Sequence, residues 1–217
     1  MWTYNGIKVH WLGHDSFVLQ GSRTLILDPF RAKGMYKADI LLISHEHHDH
    51  LSPDDIKRFS DPNTTIVAPR VCESALGPFP QQKMFVDPGS KLEVKGVMVE
   101  AVSAYNLNKY KSPGVMFHPK ADGKVGYVVT LDGVRFYHAG DSDATPEMKA
   151  LDVDVAFLPV SGTYVMTAEE AAEAAKSMRV KVVVPMHFGS LVGTRADAER
   201  FRKLVGGAKD VEILQQE

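Results

Sequence analysis

The sequence has few of the features that mark secreted or membrane-spanning proteins. Its 217 residues contain one cysteine, Cys72, so no disulfide can form within the chain, which suits a reducing compartment. No stretch approaches the roughly 20 apolar residues needed to span a bilayer, and the first residues lack the pattern of a signal peptide. We therefore expect a soluble, cytoplasmic protein with no membrane partner.

The sequence also lacks an excess of either charge, internal repeats, low-complexity tracts and linkers. A net charge of -2 gives no electrostatic reason for binding nucleic acid, so nucleic acid is not an expected partner. The length and the 44% hydrophobic content suit one globular domain over residues 1–217. Nothing in the sequence indicates an oligomeric state.

Short strands alternate with a few helices in both halves of the chain. Asp39–Ser44 is an almost continuous apolar run that predicts a buried strand, and Asp132-Gly133 predicts a hairpin turn. Ser52 and the pair Thr167/Glu170 carry helix-start signals. This order predicts an α/β fold in which two sheets pack face to face with helices outside.

A histidine-rich run follows the predicted strand Asp39–Ser44 directly, and it reads His45-Glu46-His47-His48-Asp49-His50. Side chains two apart in an extended segment point the same way, so His45 and His47 can reach one ion. Asp49 and His50 continue around the turn and can reach a second ion nearby. Mixed imidazole and carboxylate ligands suit zinc, and also manganese, iron, nickel or cobalt.

This run resembles the His-x-His-x-Asp-His signature of the metallo-β-lactamase fold superfamily. Two later segments, His138–Asp141 and Pro185–Gly189, resemble its Gly-Asp element and its last histidine element. Trp11–Ser16 and Asp28–Phe30 are similar to the opening of the branch that contains ascorbate-6-phosphate lactonase-like and related uncharacterised hydrolases. The resemblance implies a four-layer αββα sandwich with the site at one edge of the two sheets.

The same resemblance implies a ligand set for one or two divalent ions, with zinc as the first expectation. It assigns His45 and His47 to the first ion. It assigns Asp49, His50 and His187 to the second, with Asp141 between the two.

One position departs from the family pattern, because Asn106 stands where a further histidine for the first ion is usual. A neutral amide oxygen is a poor ligand for such an ion. The first ion would then bind weakly or recruit His14 or His118, or only one ion would bind. His14 could instead contact substrate or support another ligand. Asp28 either forms a plain turn or orients an imidazole such as that of His50.

The expected function is a hydrolase that uses a metal-activated hydroxide, with Asp49 as the catalytic carboxylate. The substrate would be a small, anionic ester, lactone or phosphodiester, because lysines in the long segment 105–124 could form a cationic lid. Three alternatives remain open at this point: a nuclease-type phosphodiesterase, a redox enzyme with an iron pair, and a metal- or ligand-binding module with little turnover.

Overall fold

The computed structural model describes residues 1–217 and contains two seven-stranded sheets. In the first sheet, neighbouring strands follow one another along the chain; the first four are antiparallel and the last four are parallel. Its strands are β1 (Trp2–Tyr4), β2 (Ile7–Gly13), β3 (Ser16–Gln20), β4 (Thr24–Leu27), β5 (Ile40–Leu42), β6 (Thr65–Pro69) and β7 (Gln82–Val86).

The second sheet has the order β16-β15-β14-β13-β12-β9-β8, antiparallel from β8 to β13 and parallel from β13 to β16. The second half contains β8 (Lys91–Val94), β9 (Val97–Ser103), β10 (Tyr110–Ser112), β11 (Val115–Met116), β12 (Val125–Leu131), β13 (Val134–His138), β14 (Asp152–Pro159), β15 (Arg179–Met186) and β16 (Asp210–Val211). β10 and β11 pair only with each other. The hairpin predicted at Asp132-Gly133 joins β12 to β13 and is confirmed.

Five α-helices complete the fold: α1 (Pro53–Phe59), α2 (Glu73–Leu76), α3 (Pro146–Lys149), α4 (Ala168–Ser177) and α5 (Arg195–Val205). The predicted helix starts are confirmed. The Ser52 side chain accepts a hydrogen bond from the backbone of Asp55, and Thr167 and Glu170 cap α4 reciprocally. None of the helices is both long enough and apolar enough to cross a membrane.

Apolar side chains alternate along the first sheet and divide between two cores. Leu25 and Leu27 belong to a cluster of 49 buried residues that is shared with the second sheet, α4 and α5. Ile26, between them, faces a cluster of 15 buried residues that includes Ile56 and Phe59 of α1. Because side chains two apart on a strand share a face, this division fixes a helix–sheet–sheet–helix sandwich.

The polar groups singled out in the sequence follow the carboxyl ends of strands from both sheets. β2 ends at Gly13, β5 at Leu42, β13 at His138 and β15 at Met186. Since β4, β5 and β6 are parallel, as are β13, β14 and β15, their carboxyl ends meet at one edge of the sandwich. Such an edge is where open sheets normally bind ligands.

Candidate metal centre

The first cluster of possible ligands consists of His45, His47, His118 and Asp141, whose donor atoms all lie within 4.8 Å of one another. His47 Nδ1 is 3.1 Å from His45 Nε2 and 3.3 Å from His118 Nε2. Asp141 Oδ2 is 3.8 Å from His45 Nε2 and 3.7 Å from His118 Nε2. Ligands about 2.1 Å from a tetrahedral ion are roughly 3.4 Å apart, so these spacings suit one ion.

His118 supplies the third imidazole of the first cluster, since residue 106 is an asparagine and not the histidine of the family pattern. Asn106 holds it there, because the Asn106 Oδ1 accepts a hydrogen bond of 3.0 Å from the His118 backbone N–H. The Asn106 Nδ2 donates to the backbone oxygen of Tyr164, 2.8 Å away. The Asn106 amide is therefore engaged at both ends, and the structure does not bring it into the group of donor atoms.

The second cluster lies on the other side of Asp141 and contains Asp49, His50 and His187, with His14 and Asp15 beside them. Asp141 Oδ1 is 3.3 Å from His50 Nε2 and 3.2 Å from His187 Nε2. Asp49 Oδ2 is 4.0 Å from His50 Nε2. Asp141 thus presents one oxygen to each cluster, as a bridging carboxylate would.

Hydrogen bonds at the far ring nitrogens orient three of the imidazoles. His45 Nδ1 lies 2.9 Å from Ser44 Oγ, and His187 Nδ1 lies 2.8 Å from Ser161 Oγ. His50 Nδ1 lies 2.8 Å from Asp28 Oδ2. A proton on each Nδ1 leaves the Nε2 lone pair free to face the cluster. The contact from Asp28 is the one expected if this carboxylate orients His50.

Three residues in or beside the second cluster have a strained backbone. His14, Asp28 and His187 have φ values of 51°, 40° and 60°, in the left-handed region that non-glycine residues rarely adopt. His14 and His187 are tied together, because the His187 N–H donates to the His14 carbonyl over 3.2 Å. Strain of this kind persists where the surroundings enforce it, and it is typical of functional sites.

The two clusters differ in the protonation that their surroundings favour. Burial lowers the pKa of His118 to about 3, and burial with the neighbouring His50 also lowers the pKa of His45. In the second cluster burial acts in the same direction but is outweighed: the Asp141 and Asp15 carboxylates raise the pKa of His187 to about 9. Asp141 and Asp28 raise the pKa of His50 in the same way.

The donor atoms fit divalent metal ions. His50 Nε2 and Asp141 Oδ1 are buried and have no hydrogen-bond partner, although each faces other donors of the second cluster. Buried polar atoms without partners are costly, and a cation between them would satisfy them together. Imidazole and carboxylate ligands in this proportion suit zinc, and also manganese or iron.

Three further residues lie near the clusters. His14 Nε2 is 3.2 Å from Asp49 Oδ2, so His14 supports that carboxylate. His48 points outward, with 76% of its side chain exposed. Asp15 was not singled out by itself, although it is completely buried beside His50 and His187. Its position directly after His14 was the only signal for it in the sequence.

Three of the four lysines of segment 105–124 are paired with acids rather than arranged as a cationic lid. Lys109 Nζ lies 2.8 Å from Glu170 Oε2 and 3.1 Å from Asp143 Oδ1. Lys120 pairs with Glu147, and the buried Lys124 pairs with Glu46. These contacts remove the basis for the lid interpretation at Lys109, Lys120 and Lys124.

A pocket of about 300 Å³ opens onto both clusters. Phe117 and Tyr164 stack face to face in its wall, with ring centroids 3.7 Å apart. No lysine or arginine lines it; its residues are His47, His48, Asp49, Phe117, Asp141, Thr163, Tyr164, His187, Leu191 and Val192. The volume and the apolar wall suit a small organic molecule.

Comparison with known proteins shows the family to which the chain belongs. The family model described as the beta-lactamase superfamily domain matches residues 8–187. A UPF0173 metal-dependent hydrolase from Thermococcus onnurineus is 31% identical over 227 residues, covering 96% of each chain. Another, from Pyrococcus furiosus, is 30% identical over 228 residues with the same coverage.

Solved structures show the same architecture. A protein from Parabacteroides distasonis, described as a metal-dependent hydrolase, superposes with a TM-score of 0.82 at 32% identity, covering 97% of this chain and 94% of the other. Igni18, a metallo hydrolase from Ignicoccus hospitalis, superposes with a TM-score of 0.78 at 23% identity over 96% and 95% of the two chains, which shows the fold. The chain therefore belongs to the metallo-β-lactamase superfamily, among its metal-dependent hydrolases.

Proposed function

We propose that the chain, as one domain, hydrolyses a small ester, lactone or phosphodiester with two divalent metal ions. The observation that carries this proposal is Asp141, whose two oxygens lie 3.2 to 3.8 Å from four imidazole nitrogens in two clusters. The first ion, for which zinc is the first choice, is assigned to His45, His47 and His118. The second is assigned to Asp49, His50 and His187.

The ions, when bound, supply an acidic water and positive charge near the developing oxyanion. Asp49 lines the pocket and is the carboxylate in position to orient the attacking water and accept its proton. His14 holds the Asp49 carboxylate through its Nε2. Phe117 and Tyr164 cover one wall and exclude bulk solvent from the substrate.

The pocket favours small esters and lactones with an apolar part over nucleic acid. Its walls carry Leu191 and Val192 but no lysine or arginine, so a phosphate or carboxylate of the substrate has to bind at the ions. Nucleic-acid binding depends largely on lysine and arginine contacts to phosphates. The lactonase-like branch indicated by the sequence is consistent with a pocket of this size.

The test is a metal-dependent substrate screen. Protein stripped with a chelator is reloaded with zinc or manganese and assayed on lactones, 4-nitrophenyl esters, bis(4-nitrophenyl) phosphate and single-stranded oligonucleotides. We expect metal-dependent turnover of at least one small ester or lactone. His187→Ala should abolish it, whereas the matched control His10→Ala, at a histidine that belongs to neither cluster, should not.

Two outcomes would contradict the proposal. If the loaded protein binds two ions but turns over nothing in the screen, the chain acts as a metal- or ligand-binding module. If it cleaves only the oligonucleotides, it is a nuclease-type phosphodiesterase.

A further inference from the structure

Asp15 is a buried carboxylate that the fold does not satisfy. Its side chain has no exposed surface, and neither of its oxygens has a hydrogen-bond partner. Its backbone is held firmly, because the Asp15 carbonyl accepts a hydrogen bond of 2.8 Å from His138 Nε2. A buried carboxylate without donors is strongly unfavourable unless positive charge stands next to it.

The nearest groups to Asp15 are donor atoms of the second cluster. Asp15 Oδ2 is 3.5 Å from His50 Nε2 and 3.8 Å from His187 Nε2, and neither contact is a hydrogen bond. Asp15, His50, Asp141 and His187 present atoms that all lie within 4.8 Å of one another. Buried lone-pair atoms that face one another without forming hydrogen bonds have the arrangement of ligands around a cation.

Asp55 shows how the same fold treats a buried carboxylate with a structural role. Its oxygens accept hydrogen bonds from the backbone of Arg31 at 2.8 Å, from the backbone of Ala32 at 3.2 Å and from Ser52 Oγ at 2.6 Å. Both residues are buried, with Asp55 6% and Asp15 0% exposed. The difference between them is that Asp15 is surrounded by possible metal ligands instead of hydrogen-bond donors.

We propose that Asp15 is an additional ligand of the second ion, which gives that site more carboxylate oxygen ligands than the first. This inference rests on the two-ion site proposed above. The second cluster then offers carboxylates from Asp15, Asp49 and Asp141 with two imidazoles, whereas the first offers three imidazoles and one carboxylate oxygen. Carboxylate oxygen suits manganese, and imidazole suits zinc, so the second site should accept manganese more readily than the first.

The experiment compares metal binding by the wild type, Asp15→Asn and the matched control Asp55→Asn. Competition titrations with zinc alone and manganese alone give the affinity of each equivalent, and electron paramagnetic resonance counts bound manganese. In Asp15→Asn the second equivalent of manganese should bind at least about tenfold more weakly than in the wild type. The second equivalent of zinc should lose less affinity than manganese does. An unchanged affinity for the first equivalent of metal shows that the variant is folded.

Asp55→Asn should lower thermal stability and leave both affinities unchanged. If Asp15→Asn does not fold, Asp15→Glu keeps the carboxylate and should retain part of the manganese binding. Wild-type affinities and the wild-type metal preference in Asp15→Asn would overturn the role of Asp15 but leave the two-ion site intact. Binding of one ion or none by the wild type would overturn the proposed function itself.

Discussion

The two clusters share Asp141 but differ in almost every other respect. The first is built from imidazoles, and both His45 and His118 have lowered pKa values because they are buried. The second is rich in carboxylates, which raise the pKa of His187 to about 9 despite its burial. Asp141 therefore lies between a cluster whose imidazoles are already neutral at pH 7 and a cluster whose imidazoles favour a proton.

The difference shows what each part of the fold contributes. The first cluster comes from the loop after β5 and from the segment before β12, so imidazole density there follows the histidine run. The second gathers residues that follow β2, β5, β13 and β15, so it depends on the ends of two strands from each sheet. An ion of the proposed second site would have to displace protons, whereas an ion of the proposed first site would not.

Removing the shared carboxylate should have the largest effect. In Asp141→Asn the charge that faces both clusters is lost, so metal content should fall from two ions and kcat/KM should fall at least about 100-fold, since metal catalysis supplies several kcal/mol. Elemental analysis and steady-state kinetics on the same preparation measure both. Asp210→Asn, an exposed carboxylate, is the control. Normal metal content with full turnover would rule out bridging by Asp141.

A pH series sharpens the comparison. Because the pKa of His187 is raised to about 9 and the pKa of His50 is also raised, protons must leave when the second ion binds. The affinity for this ion should therefore rise by about tenfold or more per pH unit as the pH increases towards about 9. The first equivalent should change little over this range, since the pKa of His118 is about 3. Calorimetric titration in buffers of different ionisation enthalpy counts the protons released. Equal release by both equivalents would remove the contrast.

The stability of the metal-free protein should depend on pH in the opposite direction to the metal affinity. A raised pKa in the folded state means that protonated His187 stabilises the fold below pH 6.5, and this contribution is lost as the pH rises through about 9. His118 acts in the opposite direction. It is buried in its neutral form, so its contribution is lost as the pH falls from 6.5 towards 3.

The sequence predicted the parts that depend on local pattern. The apolar run before His45 is a buried strand, and the αββα layers follow from strands and helices whose start signals are short-range. The order of His45, Asp141 and His187 along the chain was enough to recognise the family. Each of these features is encoded within a few neighbouring residues.

What the sequence did not predict depends on contacts between distant residues. Lys109 pairs with Glu170, 61 positions away, so a lysine that looked available for substrate is engaged. Asp15 looks like an ordinary turn residue until its burial beside His50 and His187 is known. Histidine 118 reaches the first cluster through a segment whose path is set by tertiary hydrogen bonds, not by its own spacing from His45.

Asn106 gives the smallest and most discriminating effect. Asn106→Ala removes the acceptor for the His118 backbone N–H and the donor to the Tyr164 carbonyl, so His118 should be less well positioned. The affinity for the first ion should therefore fall by about tenfold at most. The second ion should be unaffected. His118→Ala, which removes a donor atom itself, should cost the first ion clearly more. If the two variants weakened the first ion equally, Asn106 would be acting as a ligand, and the amide that stands at the family's histidine position would have to turn away from Tyr164 to do so.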